Sequence, residues 1–221
     1  MKQNPFPHIV KDNFLDEKLA NLAHDEFPTP KSESFNWKSN DKNSIKFMCQ
    51  DYRELSKYPH LKKIIDYFNS NKFLSILEKE TGIPNLISDN DLSGGGLHLI
   101  GNGGFLKVHA DFNIAENLPN LHRRLNLIYY LNKEWKEEYN GALELWDTDL
   151  TSPQVVVEPS FNRMVLFNTQ PDGDIIAYHG HPKPLNVPDG VYRKSIALYY
   201  YTKEKPNNIL SEKHKTLYRE V

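Results

Sequence analysis

The sequence predicts a mainly β protein with flanking helices, and three observations carry that expectation. From residue 94 onward, short apolar runs follow one another with turn residues between them: LHLI, FLKVH, RLNLIYYL, ALELW, QVVV, RMVLF, DIIAYH and YRKSIALYYY. No stretch of helical periodicity interrupts these runs. Before residue 90, apolar residues recur instead at helical spacing. Consecutive strands with no helix between them imply two facing sheets or a closed barrel, such as a jelly roll.

Each element can be justified in order. Leu15, Leu19, Leu22 and Ala23 mark one helical face, with Asp12 or Asn13 as its cap. Leu61, Ile64, Ile65 and Phe68 mark a second, and Leu74 and Leu77 a short third. Residues 28–58 are polar with few periodic apolar positions, and read as a long loop or lid. Residues 1–90 are therefore expected to be a helical support and lid region, part of one domain with a β core over 91–202. Residues 203–221 are charged and read as a peripheral tail. Gly101-Asn102-Gly103-Gly104 separates the first two β runs tightly, and Pro159, Gly173, Pro182 and Gly190 punctuate later ones.

The 221 residues suffice for one domain with a sizeable core. A net charge of -2 argues against a nucleic-acid clamp, which needs a positive footprint. Cys49 is the only cysteine, so no internal disulfide forms and a reducing compartment fits best. No apolar run reaches membrane-spanning length, and the opening MKQNPFPHIV lacks the apolar stretch of a signal peptide. A cytoplasmic location is the expectation, with neither membrane nor nucleic acid as a partner.

His109-Ala110-Asp111 carries the chemistry. Strand alternation puts residues i and i+2 on one face, so His109 and Asp111 can aim at one point. Tyr178-His179-Gly180-His181, at the end of another run, offers two candidates for a third ligand. Two histidines and one carboxylate occupy one face of an octahedral ion and leave three positions open. A closed structural zinc site leaves none. In the last run Arg193, Ser195, Ala197 and Tyr199 share a face, while Ile196 and Leu198 share the other. An inward arginine needs an anion, and its guanidinium fork suits a carboxylate.

This order of motifs over residues 94–202 resembles the iron(II)/2-oxoglutarate-dependent oxygenases, in particular the prolyl 4-hydroxylase-like branch. Pro5-Phe6-Pro7-His8-Ile9-Val10 followed by a helix resembles the N-terminal entry of that family. Ile128–Trp135 with Gly141, and Glu158–Arg163, are similar to the hypoxia-sensing prolyl hydroxylases. The resemblance implies a double-stranded β-helix, a cupin-like jelly roll. It implies Fe(II), 2-oxoglutarate as cosubstrate and O2, with ascorbate as a candidate reductant. His109, Asp111 and one histidine of the His-Gly-His would hold iron, and relatives with His-Gly-His-Pro point to His179 over His181. Arg193 would pair with the distal carboxylate of 2-oxoglutarate and Tyr130 would help bind it. Leu143 would be an apolar wall of that pocket and Ser195 a further contact. Leu99 stands where relatives often carry a tyrosine.

The activity so implied is hydroxylation of a C–H bond with release of succinate and CO2. The carboxylate of Asp111 favours hydroxylation over halogenation, because halogenases of this family lack it. A prolyl residue in a protein or peptide is the expected substrate, with residues 31–58 and 112–122 covering a peptide groove. A free amino acid or another small molecule is the enzymatic alternative. A non-catalytic cupin-like metal-binding or scaffold module is the alternative of another class. The nucleic-acid dealkylases carry a second arginine six residues beyond the first, where this chain has Tyr199. Of the remaining features, His98 is expected to point outward and His122-Arg123-Arg124 to be a solvated basic cluster, with Arg124 a candidate at the barrel mouth. Trp146 is a candidate to face the substrate.

Overall fold

The computed structural model describes residues 1–114 and 120–221. The N-terminal part runs β1 (His8–Lys11), α1 (Glu17–Asp25), β2 (Trp37–Asn40), β3 (Ile45–Cys49), α2 (Pro59–Asn69), α3 (Asn71–Thr81) and β4 (Ile87–Ser88). The β core follows as β5 (Gly96–Ile100), β6 (Leu106–Ala110), β7 (His122–Tyr130), β8 (Leu143–Trp146), β9 (Pro153–Val157), β10 (Arg163–Asn168), β11 (His179–His181) and β12 (Arg193–Thr202). A last strand, β13 (Leu217–Tyr218), closes the chain.

Two antiparallel sheets result. The major sheet has the order β1-β10-β7-β12-β5-β3-β2, with β4 pairing on β12, and the minor sheet β13-β6-β11-β8-β9. From β5 to β12 the chain passes back and forth between them, which is the expected jelly roll. Between the sheets one end is filled by Phe6, Leu143, Leu145, Val165 and Phe167. The other end holds a cavity of about 360 Å³.

The outer face of the major sheet is covered by helices. On β12, Ile196, Leu198 and Tyr200 are buried in one cluster with Leu61, Ile64, Ile65 and Phe68 of α2. Those four α2 residues are fully buried, as their spacing predicts. Helix α1 starts later than expected: its cap is Asp16, whose carboxylate accepts from the Leu19 amide at 3.0 Å. Asp12 is taken by an ion pair with Arg163, Asn13 has φ 50°, and both main-chain groups of Leu15 bond to the Asn162 side chain. The turn thus becomes helical only beyond these anchors.

Two expectations are corrected here. Within residues 28–58, which read as a loop or lid, β2 and β3 form a hairpin that extends the major sheet through β3–β5 pairing. Asp41 builds its turn, accepting from the Asn43 and Ser44 amides at 2.7 and 3.2 Å. The segment looks unpatterned because Ser44, Lys46, Met48 and Gln50 alternate into the polar cavity, not onto a core. The C-terminal segment is not peripheral either: β13 pairs with β6, setting Tyr218 opposite His109. Asn113 ties it down, donating to Leu210 and Glu212 carbonyls and accepting from the His214 amide.

Candidate active site

His109 and His179 sit directly opposite each other on β6 and β11. Glycine at 180 permits this close pairing, because a Cβ there would lie 2.8 Å from the Lys107 carbonyl oxygen. His109 Nε2 lies 3.4 Å from Asp111 Oδ1, and His179 Nε2 lies 3.4 Å from Asp111 Oδ2. The three ligand atoms fall within 4.8 Å of one another. Each imidazole is oriented from behind: His109 Nδ1 bonds the Lys107 carbonyl at 2.8 Å and His179 Nδ1 bonds the Ala177 carbonyl at 2.9 Å. A carbonyl only accepts, so Nδ1 carries the proton and Nε2 presents a lone pair. Burial pulls His179 down to about 4, which keeps it neutral at pH 7. Two imidazole Nε2 atoms turned toward one carboxylate suit a divalent cation.

His181 is 4% exposed and faces the same cavity, yet stands outside this triad. A register shift between His179 and His181 moves it opposite Leu106. The strand itself starts at His179, not at Ile175.

Asp111 has a partner that sequence reading missed. Arg123 is 1% exposed, and its Nη2 lies 3.0 Å from Asp111 Oδ2. Its Nε donates to Asn126 Oδ1 at 2.8 Å, and Asn126 Nδ2 donates to the same Asp111 Oδ2 at 2.6 Å. The guanidinium is sandwiched, 3.4 Å from the Tyr199 ring centre and 4.5 Å from that of Phe112. Burial by itself would raise the Asp111 carboxyl, but the charge of the neighbouring Arg123 guanidinium holds it well below the usual carboxylate range. With an ion pair to Arg123 and a hydrogen bond from Asn126 both on Oδ2, Oδ1 is left for a metal. Arg123 is therefore no solvated cluster residue. Strict alternation places it on the core side with Leu125, but the β7–β12 register skips Arg124, and this bulge turns Arg123 to the Asn126 face. Arg124 reaches Thr202 instead of lining the cavity.

Arg193 lies deeper in the same cavity, 4% exposed. It donates from Nε to the Gly141 carbonyl at 2.8 Å and from Nη2 to the Tyr130 hydroxyl at 3.1 Å. Gly141 has φ 79°, and a Cβ on it would stand 3.2 Å from Arg193 Cδ. A glycine is thus required where the arginine passes. These bonds use two of five guanidinium N–H groups, leaving three for an anion. Ser195, Leu143 and Ile128 line the cavity nearby.

The phase of β5 reverses two expectations. His98 points into the cavity, opposite Ser195 in register, with its Nε2 unpartnered among the described residues. Leu99 packs outward against the helical core, so it replaces no pocket tyrosine. Burying both Leu97 and Leu99 under the helices decides that phase. Trp146 is occupied too: it packs with Val108 and Tyr178, and its indole donates to Glu144. Lys46 on β3 lines the cavity with no hydrogen bond or ion pair among the described residues. Burial pulls it down to about 8, so it stays protonated at pH 7. Of the loop expected to cover a peptide groove, residues 115–119 lie outside the described residues.

Residues 95–201 match the family model of the 2OG-Fe(II) oxygenase superfamily, and this stretch carries the triad, Tyr130 and Arg193. Over that stretch the chain is similar to that superfamily. The fold of the chain is also that of solved prolyl hydroxylases. One from Trichoplax adhaerens, in complex with a hypoxia inducible factor oxygen degradation domain peptide fragment, superimposes with a TM-score of 0.60 at 20% identity, covering 89% of this chain and 84% of that one. A Pseudomonas putida prolyl-4-hydroxylase gives 0.60 at 16% identity, covering 88% and 92%. Prolyl 4-hydroxylase from Phytophthora capsici gives 0.63 at 23% identity, covering 91% of this chain and 60% of that one.

Proposed function

We propose that this chain hydroxylates a prolyl residue of a protein or peptide, using Fe(II), O2 and 2-oxoglutarate and releasing succinate and CO2. One observation carries the oxygenase chemistry: a His109–Asp111–His179 ligand set and Arg193, which donates to the Tyr130 hydroxyl behind it, open into one cavity. In this reading His109 Nε2, Asp111 Oδ1 and His179 Nε2 hold the iron. Bound iron and 2-oxoglutarate supply the oxidising power for C–H hydroxylation, with ascorbate as a reductant that keeps the metal ferrous. Arg193 and Tyr130 bind the distal carboxylate of the cosubstrate, which fixes its opposite end toward the triad. Leu143 and Ile128 exclude water along its carbon chain, and Ser195 supplies a further hydroxyl. Arg123 and Asn126 keep the Asp111 carboxylate turned with a single oxygen toward the metal.

The prolyl assignment draws support from the shared fold with prolyl hydroxylases, one of them solved with a peptide. A scaffold without catalysis is disfavoured because the ligand set and the arginine are all in place. Anaerobic loading with Fe(II) and 2-oxoglutarate, followed by O2, tests the reading. Succinate formation is expected, together with a one-oxygen mass gain on proline in a peptide library. No succinate, with no binding of metal or 2-oxoglutarate, contradicts the oxygenase reading. Oxygen placed on another residue or on a free small molecule contradicts the prolyl one.

A further inference from the structure

The cavity holds more positive charge than its cosubstrate consumes. The charged side chains lining it are Lys46, Asp111, Arg123 and Arg193. A divalent ion and a dicarboxylate cancel each other, leaving three cations against one carboxylate. Two of the cations are spoken for within the proposed site. Arg123 is ion-paired to Asp111 and stacked between two rings, and Arg193 is fastened to Gly141 and Tyr130 for the cosubstrate. Lys46 alone has no partner among the described residues.

The register shows where Lys46 stands. Arg193 pairs with Ile100 across β12 and β5, and Phe47 pairs with Leu99 across β5 and β3. The next position on β3 is Lys46, in one row with Ile100 and Arg193. Its backbone is two strand spacings from Arg193, roughly 9–10 Å. The ammonium therefore rises from the same face of the major sheet as Arg193, but from a strand two places along. Its cavity-lining neighbours along that stretch of chain, Ser44, Met48 and Gln50, are neutral. Inside a partly desolvated cavity an unmatched cation is costly, and a bound anion removes that cost.

We infer that Lys46 is a substrate-binding residue that takes a carboxylate on the substrate, close to the carbon to be hydroxylated. This deepens the oxygenase reading and rests on it. The carboxylate could belong to a free amino acid or to an acidic residue beside the target in a peptide; the chemistry is shared, and two arms separate the sources.

The test is calorimetric titration of the full chain loaded with Mn(II) and 2-oxoglutarate, so no turnover is needed. One arm compares L-proline with L-prolinamide. The other compares acetyl-Asp-Pro-amide with acetyl-Asn-Pro-amide. In at least one arm the acid is expected to bind tenfold or more tightly than its amide. Lys46→Met should bring that preference to within twofold, Lys46→Arg should retain it, and 2-oxoglutarate affinity should change less than twofold in both variants. The proposal is overturned if acids and amides bind alike, if none of the four probes binds, or if the preference survives in Lys46→Met. An equal loss of 2-oxoglutarate affinity would overturn it as well, by making Lys46 a cosubstrate residue. Failure of the wild type to bind Mn(II) and 2-oxoglutarate at all, measured first in the same samples, would instead strike the oxygenase reading itself.

Discussion

The two faces of the major sheet do opposite work with the same strands. On β12 the outward set Ile196, Leu198 and Tyr200 is sealed under helices, while the inward set Arg193, Ser195 and Tyr199 lines a polar cavity. On β5 the split is Leu97 and Leu99 against His98 and Ile100. The helical face supplies burial, and burial depends on volume more than on which apolar residue provides it. The cavity face gives up apolar packing for placed donors and charges, among them Arg193 and Arg123, each held by named partners. Stability and site should therefore separate under mutation.

The largest effect tests the helical face. Phe68 is fully buried against Phe73 and Tyr129. Phe68→Ala should lower unfolding free energy by about 3–5 kcal/mol in denaturant titration. Mn(II) affinity, measured well below the melting temperature, should stay within twofold. A lost metal site in a folded Phe68→Ala protein would break the separation.

Asp111→Ala probes the charged face. It deletes a ligand and strands Arg123 in the interior, so it should abolish metal binding and cost about 3–5 kcal/mol of stability. Adding Arg123→Met should restore most of the stability and none of the metal binding. Thermal melts and metal titrations on the single and double variants check both halves.

Arg193→Lys is a narrower test. The lysine keeps the charge but loses the fork that serves Gly141, Tyr130 and an anion together. Affinity for 2-oxoglutarate should fall roughly 10- to 100-fold, the worth of one charged hydrogen bond. Mn(II) affinity should hold.

At the small end stands the surface pair Asp12–Arg163, which fastens the turn after β1 to β10. Hydrogen bonding to Arg163 lowers the Asp12 carboxyl below its ordinary value. Its contribution is thus present above about pH 4 and lost as pH falls through the lowered folded value. Because Asp12 is largely exposed, Asp12→Asn should cost only about 0.2–1 kcal/mol at pH 7, and progressively less as pH falls through the lowered folded value.

What the sequence made legible follows from the same contrast. The β runs, α2 and the alternation on β12 were readable because one face of each is apolar. His109, Asp111, His179, Tyr130 and Arg193 come together where alternation and family resemblance place them. Lys46 and the β2–β3 hairpin escaped notice because that strand turns polar residues into a cavity and so lacks the usual pattern. Arg123 was hidden by a bulge, which shifts phase by one residue without any glycine or proline to announce it. His98 and Leu99 were misplaced because nothing local tells which face of β5 the helices will cover. The C-terminal strand is too short and too charged around it to register as a strand at all.

The central claim is that His109, Asp111 and His179 hold one metal ion, and that His181, though buried beside them, does not. Mn(II) titration of the wild type, His179→Ala and His181→Ala tests it most directly. The account predicts one site in the wild type, its loss in His179→Ala and its retention in His181→Ala. A wild type that binds no metal, or a site that survives in His179→Ala and disappears in His181→Ala, would contradict it.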